Sequence, residues 1–385
     1  MSMLFAEASE GPQLKLSKRL LLLNWPFVVL IVAIAVVGVA ALYSVAGGSL
    51  EPWATRHILR LWFGLALIFA IVLVDLRTWM RVAYPFYFTV LLLLALVPLI
   101  GVERGGAQRW LGFGEYSFQP SEIMKIALVL AIARYYQWLP SEKIWRPDAV
   151  LPPVLMIGVP TILALGQPDL GTAALFAIVG CGLLFLAGVS WLYFIGGLVG
   201  IIAVLPHVWE KLHDYQKERV LTLIEPDRDP LGSGYHILQS KIAIGSGGLT
   251  GKGFMHGTQA QLNFLPEKHT DFIFTMFAEE MGFIGALSLL ALYLLVLLFI
   301  TYMALRCRST FPRLVAAGMD LCLFTYVFIN IAMVTGLVPV VGVPLPLVSY
   351  GGTSMLTMMA GLGFVLNAHV NRATRIRREE YGPLW

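Results

Sequence analysis

Long, nearly uncharged apolar runs follow one another along this chain, and they leave few ways for its backbone to satisfy its hydrogen bonds. Such runs occupy residues 27–46, 58–74, 82–100, 123–138, 150–166, 172–188, 190–207, 273–301, 314–338 and 352–370. Most are long enough to cross a hydrocarbon layer of roughly 30 Å as a helix. A membrane barrel would need alternating segments of ~10 residues, and these runs are continuous. Without water, only a helix or a closed barrel pairs every backbone group, so the runs predict an all-α polytopic membrane protein with about ten spans. Composition agrees: 58% of the 385 residues are hydrophobic and 13% are charged.

Lysines and arginines near span ends set orientation, because short basic loops stay in the cytoplasm. Lys15, Lys18 and Arg19 precede the first span, and Arg77 and Arg81 follow the second. Arg134, Lys143 and Arg146 follow the fourth, Arg306, Arg308 and Arg313 the eighth, and Arg372, Arg375, Arg377 and Arg378 close the chain. With ten spans these sites share one side, which predicts both termini in the cytoplasm. The net charge of +4 reflects that asymmetry, not nucleic-acid binding. Residues 1–20 read as a cytoplasmic leader without a cleavable signal, 21–371 as a single membrane domain and 372–385 as a basic cytoplasmic tail. Cys181, Cys307 and Cys322 lie in or beside spans, where they read as packing residues and not as a disulfide or zinc framework.

One stretch breaks the apolar pattern. Residues 208–272, between the seventh and eighth spans, hold 15 of the 50 charged residues and four of the seven histidines. The orientation puts this loop outside the cytoplasm. Leu238 to Gly245 has amphipathic helical spacing, and the surrounding glycines mark tight turns. The glycines near Lys252 do not form a nucleotide loop: Ser246 stands where that motif needs its first Gly, and Gly253 where it needs Ser or Thr.

Polar residues also gather at outer span mouths. Arg109 and Trp110 precede Gln119-Pro120-Ser121-Glu122, and Lys125 lies one turn beyond Glu122. That spacing allows a mutual ion pair, whether purely structural or lining a cavity as well. Trp110 reads either as an interfacial anchor or as a site residue. Asp169, in the connection Gln167-Pro168-Asp169, suits a helix cap or a cavity role. The strongest local signal is Leu265-Pro266-Glu267-Lys268-His269-Thr270-Asp271, where a polar loop enters an apolar helix. Thr270 or Asp271 could cap that helix, but capping does not explain Glu279 and Glu280 further in, which should face a polar cavity or pair with cations.

These segments carry a resemblance. GAQRW at 106–110, QPSEIMK at 119–125, QPDLGT at 167–172 and DYQKERV at 214–220 occur in order with GYHILQSKIAIGSGGLTGKG at 234–253, LPEKHTDFIF at 265–274 and VPVVGVPLPLVSYGG at 338–352. The chain resembles the SEDS family of bacterial membrane proteins, its rod-shape members more than its division members. The resemblance implies ten helices in the inner membrane and a peptidoglycan glycosyltransferase that polymerises lipid II on the outer face. It further implies undecaprenyl-pyrophosphate-linked glycan as substrate, a class B penicillin-binding protein as partner, and a divalent cation, Mg2+ or Mn2+, with no nucleotide or organic cofactor. Asp271 matches the essential loop aspartate, as general base or as metal ligand. Arg109, Lys125 and Arg219 are candidates for meeting the leaving pyrophosphate, with Trp110, Glu122, Asp169, Gln216, Glu279 and Glu280 completing a cavity. His269 is set aside as a hydrogen-bonding residue. A lipid-linked precursor flippase is the competing reading, with intramembrane charges as its motive, and a scaffold for the cross-linking partner is a third.

Overall fold

The computed structural model describes residues 16–104, 107–113, 116–211, 217, 221, 233–261, 265 and 267–376. A short helix α1 (Leu16–Leu21) leads into α2 (Trp25–Val45), α3 (Ala54–Leu73) and α4 (Leu76–Ile100). Three strands follow, β1 (Val102–Arg104), β2 (Ala107–Phe113) and β3 (Tyr116–Phe118), and then α5 (Pro120–Trp138), α6 (Pro147–Gly166), α7 (Leu170–Ala187) and α8 (Trp191–Lys211). The second half contains α9 (Ser233–Ser246), the single turn α10 (Thr258–Gln261), α11 (Ile273–Leu305), α12 (Thr310–Val334) and α13 (Gly352–Val370).

Among the described residues ten helices reach 18 residues or more, as the apolar runs predict. Eight are long and apolar enough to cross a membrane by length and composition alone. The others are α5, which carries Glu122, Lys125 and Arg134, and α8, whose apolar part is Trp191–Gly200. The expected amphipathic segment 238–245 falls inside α9.

Helix α5 lies at the centre, with 16 of its 19 residues buried. It packs on α4, α7 and α12, while α13 lies along α3 and α11 along α2 and α12. Small residues permit close approach where there is no water to drive association. A Cβ on Gly38 of α2 would come within 2.7 Å of the Leu347 carbonyl, so only glycine lets the segment before α13 lie on α2. The leader is not separate throughout. Arg19 is buried, donates to the Leu73 carbonyl at 2.8 Å and pairs with Asp75 at 3.4 Å, which stitches α1 to the α3–α4 turn.

Two features go beyond the predicted helices. The described residues of the segment after α4 fold as an antiparallel sheet in the order β1-β2-β3, with Val102 opposite Trp110 and Leu111 opposite Phe118. Helix α11 is interrupted at Gly282, where φ is +66° and ψ is −167°. A break frees helical carbonyls and amides that must find other partners. The glycine-rich turn after α9 supplies them. Lys252 N donates to Glu279 O at 3.1 Å and Gly253 N to Glu280 O at 3.0 Å, while Phe283 N donates to Gly248 O at 2.9 Å. A Cβ on Gly251 would sit 2.0 Å from the Glu280 carbonyl oxygen, and one on Gly282 2.2 Å from Gly251 N, so this joint admits only glycine at both positions.

Candidate active site

Asp271 occupies the turn that leads into α11. The cap position belongs to Phe272, so the aspartate is not the N-cap residue, and Thr270 Oγ1 donates to the Glu267 carboxylate at 2.7 Å. What holds the turn is the segment between α12 and α13. Tyr350 N donates to His269 O at 2.9 Å, and Ser349 Oγ donates to Thr270 O at 2.6 Å. Buried Asn330 of α12 donates to Asp271 O at 3.0 Å and to Val343 O at 2.7 Å. On the other side stands Gly342, with φ +70°, where a Cβ would lie 3.5 Å from the Asp271 carboxylate. On this side the carboxylate therefore lies beside bare backbone.

One turn before Asn330 on the same helix, Tyr326 reaches the ion pair foreseen in α5. Lys125 Nζ lies 2.7 Å from Glu122 Oε1, and the Tyr326 hydroxyl donates to both Glu122 oxygens, at 3.0 and 2.9 Å. Lys125 also contacts Tyr326 directly. Both charges are buried, and a small cavity beside them is bounded by Cys322, Ser354, Thr357 and Met358.

Gly171, at the start of α7, approaches the Val341 carbonyl so closely that a Cβ would be 2.9 Å from it. Asp169 caps that helix, accepting from Thr172 N at 3.1 Å and Thr172 Oγ1 at 2.8 Å, and it also accepts from Gln119 at 3.2 Å. Strand β2 brings Arg109 to the same corner, where it donates to the Gln167 and Pro168 carbonyls and lies 3.9 Å from Asp169. Asp169 is thus both cap and counter-ion. Trp110, the next residue of β2, is half-buried. Asp271, Glu122, Lys125, Asp169 and Arg109 are in this way linked through Tyr326, Asn330 and residues 341–343.

Glu279 and Glu280 do not join them. Fully buried Glu279 accepts from Lys252 Nζ at 2.6 Å, Thr258 N at 3.0 Å and Thr258 Oγ1 at 2.9 Å, and Glu280 accepts from Ser44. The helix break gives loop 252–259 something to grip, and Glu279 takes the alternative of pairing with a cation, Lys252. Gln216 and Arg219 lie outside the described residues.

Sequence reading missed a basic and aromatic group next to Asp271. The His269 ring stacks on Trp53 at 4.5 Å between centroids, and Arg60 of α3 lies over the Tyr350 ring at 4.3 Å and donates to its hydroxyl at 3.2 Å. Arg56 also hydrogen-bonds that hydroxyl. The available signal was an exception to the charge rule, since Arg56, His57 and Arg60 sit at a span mouth read as outer. Burial lowers the His269 pKa from its ordinary value, with Lys268 acting the same way and Glu267 opposing, which favours a neutral imidazole.

The profile of the cell cycle protein family of FtsW, RodA and SpoVE matches residues 17–374. The chain belongs to this family, the SEDS proteins. The peptidoglycan glycosyltransferase MrdB of Escherichia coli (strain K12) is 45% identical to this SEDS protein over 344 residues, 89% of this chain and 92% of that one. The protein of the same name from Helicobacter pylori (strain ATCC 700392 / 26695) is 38% identical over 79% of this chain and 80% of its own. Among solved structures, the rod shape determining protein RodA of Thermus thermophilus matches with a TM-score of 0.70 at 32% identity, covering 92% of this chain and 98% of that chain. A chain from a peptidoglycan synthase complex, described as coordinating polymerization and crosslinking, matches with a TM-score of 0.80 at 35% identity, covering 92% and 99%. The SEDS chain is accordingly a multi-pass membrane protein with the fold of these relatives.

Proposed function

We propose that this protein is a peptidoglycan glycosyltransferase that polymerises lipid II on the outer face of a bacterial cytoplasmic membrane during cell elongation, with Asp271 as its general base. The observation that carries the reading is the placement of Asp271. It is held through its own carbonyl by Asn330 of α12, one turn from the Tyr326 that bonds the Glu122–Lys125 pair, and its carboxylate lies beside Gly342. The names of the relatives supply the reaction class.

In this reaction the 4-hydroxyl of a lipid-linked disaccharide attacks the anomeric carbon at the end of the growing glycan. The new O–C bond forms as the bond to undecaprenyl pyrophosphate breaks, the hydroxyl proton passes to Asp271, and the pyrophosphate leaves with the electron pair. An oxocarbenium-like transition state needs that proton removed only late, so a carboxylate of modest basicity suffices. Charge developing on the leaving group needs positive partners. Lys125 is already matched by Glu122, and Arg109 is tied to two carbonyls and Asp169. Both therefore act as fixed dipoles of the wall more than as mobile clamps.

Among the described residues no group of three His, Cys, Asp or Glu side chains is placed to hold a metal. A substrate-borne Mg2+ needs only one or two carboxylates beside its phosphate oxygens, which Asp271 fits. When bound, such an ion would supply charge to the departing pyrophosphate.

The orientation follows from the basic span ends, with termini in the cytoplasm and the Asp271 mouth outside. A class B penicillin-binding protein is the proposed partner, supported by the likeness to a chain of a synthase that couples polymerization to crosslinking.

The test is polymerisation of purified lipid II by reconstituted protein carrying Asp271→Asn or Asp271→Ala, across pH and Mg2+ or Mn2+ concentration. A loss of about 10²–10⁴-fold is expected for removal of a general base. Wild-type rates in a folded Asp271→Ala protein would sink the assignment, and rescue by raised metal would move Asp271 to the ligand role.

A further inference from the structure

The chain leaving α13 does not trail away from the helices. It runs beside the turn between α11 and α12, where Cys307 Sγ donates to Ala368 O at 3.6 Å, Arg308 N to Arg372 O at 3.0 Å and Ser309 Oγ to Thr374 O at 2.7 Å. Ile376 N returns a bond to Ser309 Oγ at 3.0 Å, and Gln137 of α5 donates to the carbonyl of this buried isoleucine at 3.1 Å. Two basic segments that are far apart in sequence are thereby fixed side by side.

Arg306, Arg308, Arg313, Arg372 and Arg375 meet in this corner, and no Asp or Glu occurs in residues 302–319 or 367–376. Among the described residues none of these arginines makes an ion pair within 4.0 Å, whereas Arg146, in the loop before α6, has Asp148 at 3.1 Å. The contacts that orient them go to neutral groups. Arg313 Nη2 donates to Cys307 O at 2.9 Å, Arg372 Nη1 donates to His369 O at 2.9 Å, and Arg306 lies over the Tyr302 ring at 5.0 Å. Such contacts fix a guanidinium and leave its charge uncompensated. Burial pushes the Cys307 thiol up to about 11 while Arg313 and Arg372 both pull it down, so these two charges act on one atom. Like charges held this close repel, and an anion seated among them removes that cost.

The surface beside the arginines says which anion. Leu298, Tyr302 and Leu305 recur at one-turn spacing on α11, each is half exposed or more, and the stripe they form ends at Arg306. A ligand that meets both features has an anionic head and a hydrocarbon tail. We infer that this corner binds the phosphate of an anionic phospholipid, with its acyl chains along the exposed stripe of α11. Arg313 and Asn330 are 17 residues apart on α12, about 25 Å along its axis. The lipid site is therefore at the opposite end of α12 from the Asp271 mouth and does not depend on the chemistry proposed there.

Binding is counted by native mass spectrometry of the full chain in detergent micelles with added phosphatidylglycerol, phosphatidylcholine or water-soluble glycerol phosphate. Wild type is compared with Arg308→Gln, Arg375→Gln, their double variant, Arg308→Lys and Arg146→Gln. Arg308 and Arg375 are exposed, and the backbone bond of Arg308 survives its substitution. Wild type is expected to prefer phosphatidylglycerol to phosphatidylcholine by at least ~10-fold. Each Gln variant should lose about fivefold in phosphatidylglycerol affinity and the double variant ~20-fold or more, the scale of one basic residue at an anionic surface, while Arg308→Lys and Arg146→Gln stay close to wild type. Unchanged affinity in the double variant overturns the site. Equal losses in Arg146→Gln and Arg308→Gln do so too, because the attraction is then that of diffuse surface charge. Glycerol phosphate that binds as tightly as phosphatidylglycerol makes the ligand a soluble phosphate and defeats the lipid assignment. A Glu379→Gln/Glu380→Gln protein that binds phosphatidylglycerol when wild type does not would show that the chain's own carboxylates fill the corner, which also overturns it.

Discussion

The Glu122–Lys125 pair offers a sharp test of the packing logic, because each charge is tolerated only through the other. Their side chains are 8% and 2% exposed, their charged atoms are 2.7 Å apart, and Tyr326 fills the remaining acceptor positions of the carboxylate. Lys125→Met leaves an uncompensated carboxylate among Tyr326, Cys322 and Met319, and Glu122→Gln leaves an ammonium there. Removing one member of a buried pair costs about 3–5 kcal/mol. The double variant Glu122→Gln/Lys125→Met removes both charges, keeps an acceptor for the Tyr326 hydroxyl and nearly conserves volume. It should therefore fall within about 1 kcal/mol of wild type, since neutral replacement of a buried pair is often harmless. Unfolding in mixed micelles, followed by the fluorescence of the ten tryptophans, gives all four free energies of the cycle. Singles that each lose less than ~1 kcal/mol, or a double that loses the sum of both, would refute the reasoning, because the pair would then be solvated or uncoupled. The refolded double variant should still polymerise lipid II more slowly than wild type if the charges also face substrate.

Other consequences follow from the joint at Gly282 and from His269. Gly251→Ala and Gly282→Ala should each destabilise by at least ~2 kcal/mol, since both combine positive φ with Cβ contacts of 2.0–2.2 Å, whereas Gly245→Ala, with nothing within 4 Å, should be neutral in the same unfolding assay. Glu279→Ala should expose residues 247–261 to limited proteolysis, while Lys252→Ala should do so weakly, because Thr258 and Gln259 still hold the carboxylate. The lowered His269 pKa means that the unfolded chain takes up a proton first as pH falls. Its contribution is therefore complete above the ordinary histidine pKa of about 6.5 and is lost below it. Stability profiles of wild type and His269→Gln should converge as pH drops through that range, and parallel profiles would contradict the assignment.

How much of this was legible from sequence depends on which solvent a residue answers to. The spans were readable because lipid penalises every unpaired backbone group, so hydropathy alone marks α2 to α8 and α11 to α13. Asp271 stood out for a related reason, as an acid where polar loop meets apolar helix, but sequence left capping open there and only the fold gives the cap position to Phe272. The interruption of α11 was not readable. Residues 273–301 read as one span even with Glu279 and Glu280 inside it, and the break coincides with the backbone of the Gly248–Gly253 turn inserting at Gly282. That nonlocal pairing also brings Glu279 and Glu280 to their partners Lys252, Thr258 and Ser44, which no local spacing identifies. The sheet at 102–118 escaped for a simpler reason, because strands of three to seven residues give too little period to detect. Arg56 and Arg60 are the instructive omission. A basic pair at a span mouth that the orientation reads as outer was itself a signal, but the Tyr350 ring that the two share comes from the segment before α13 and is visible only in the fold.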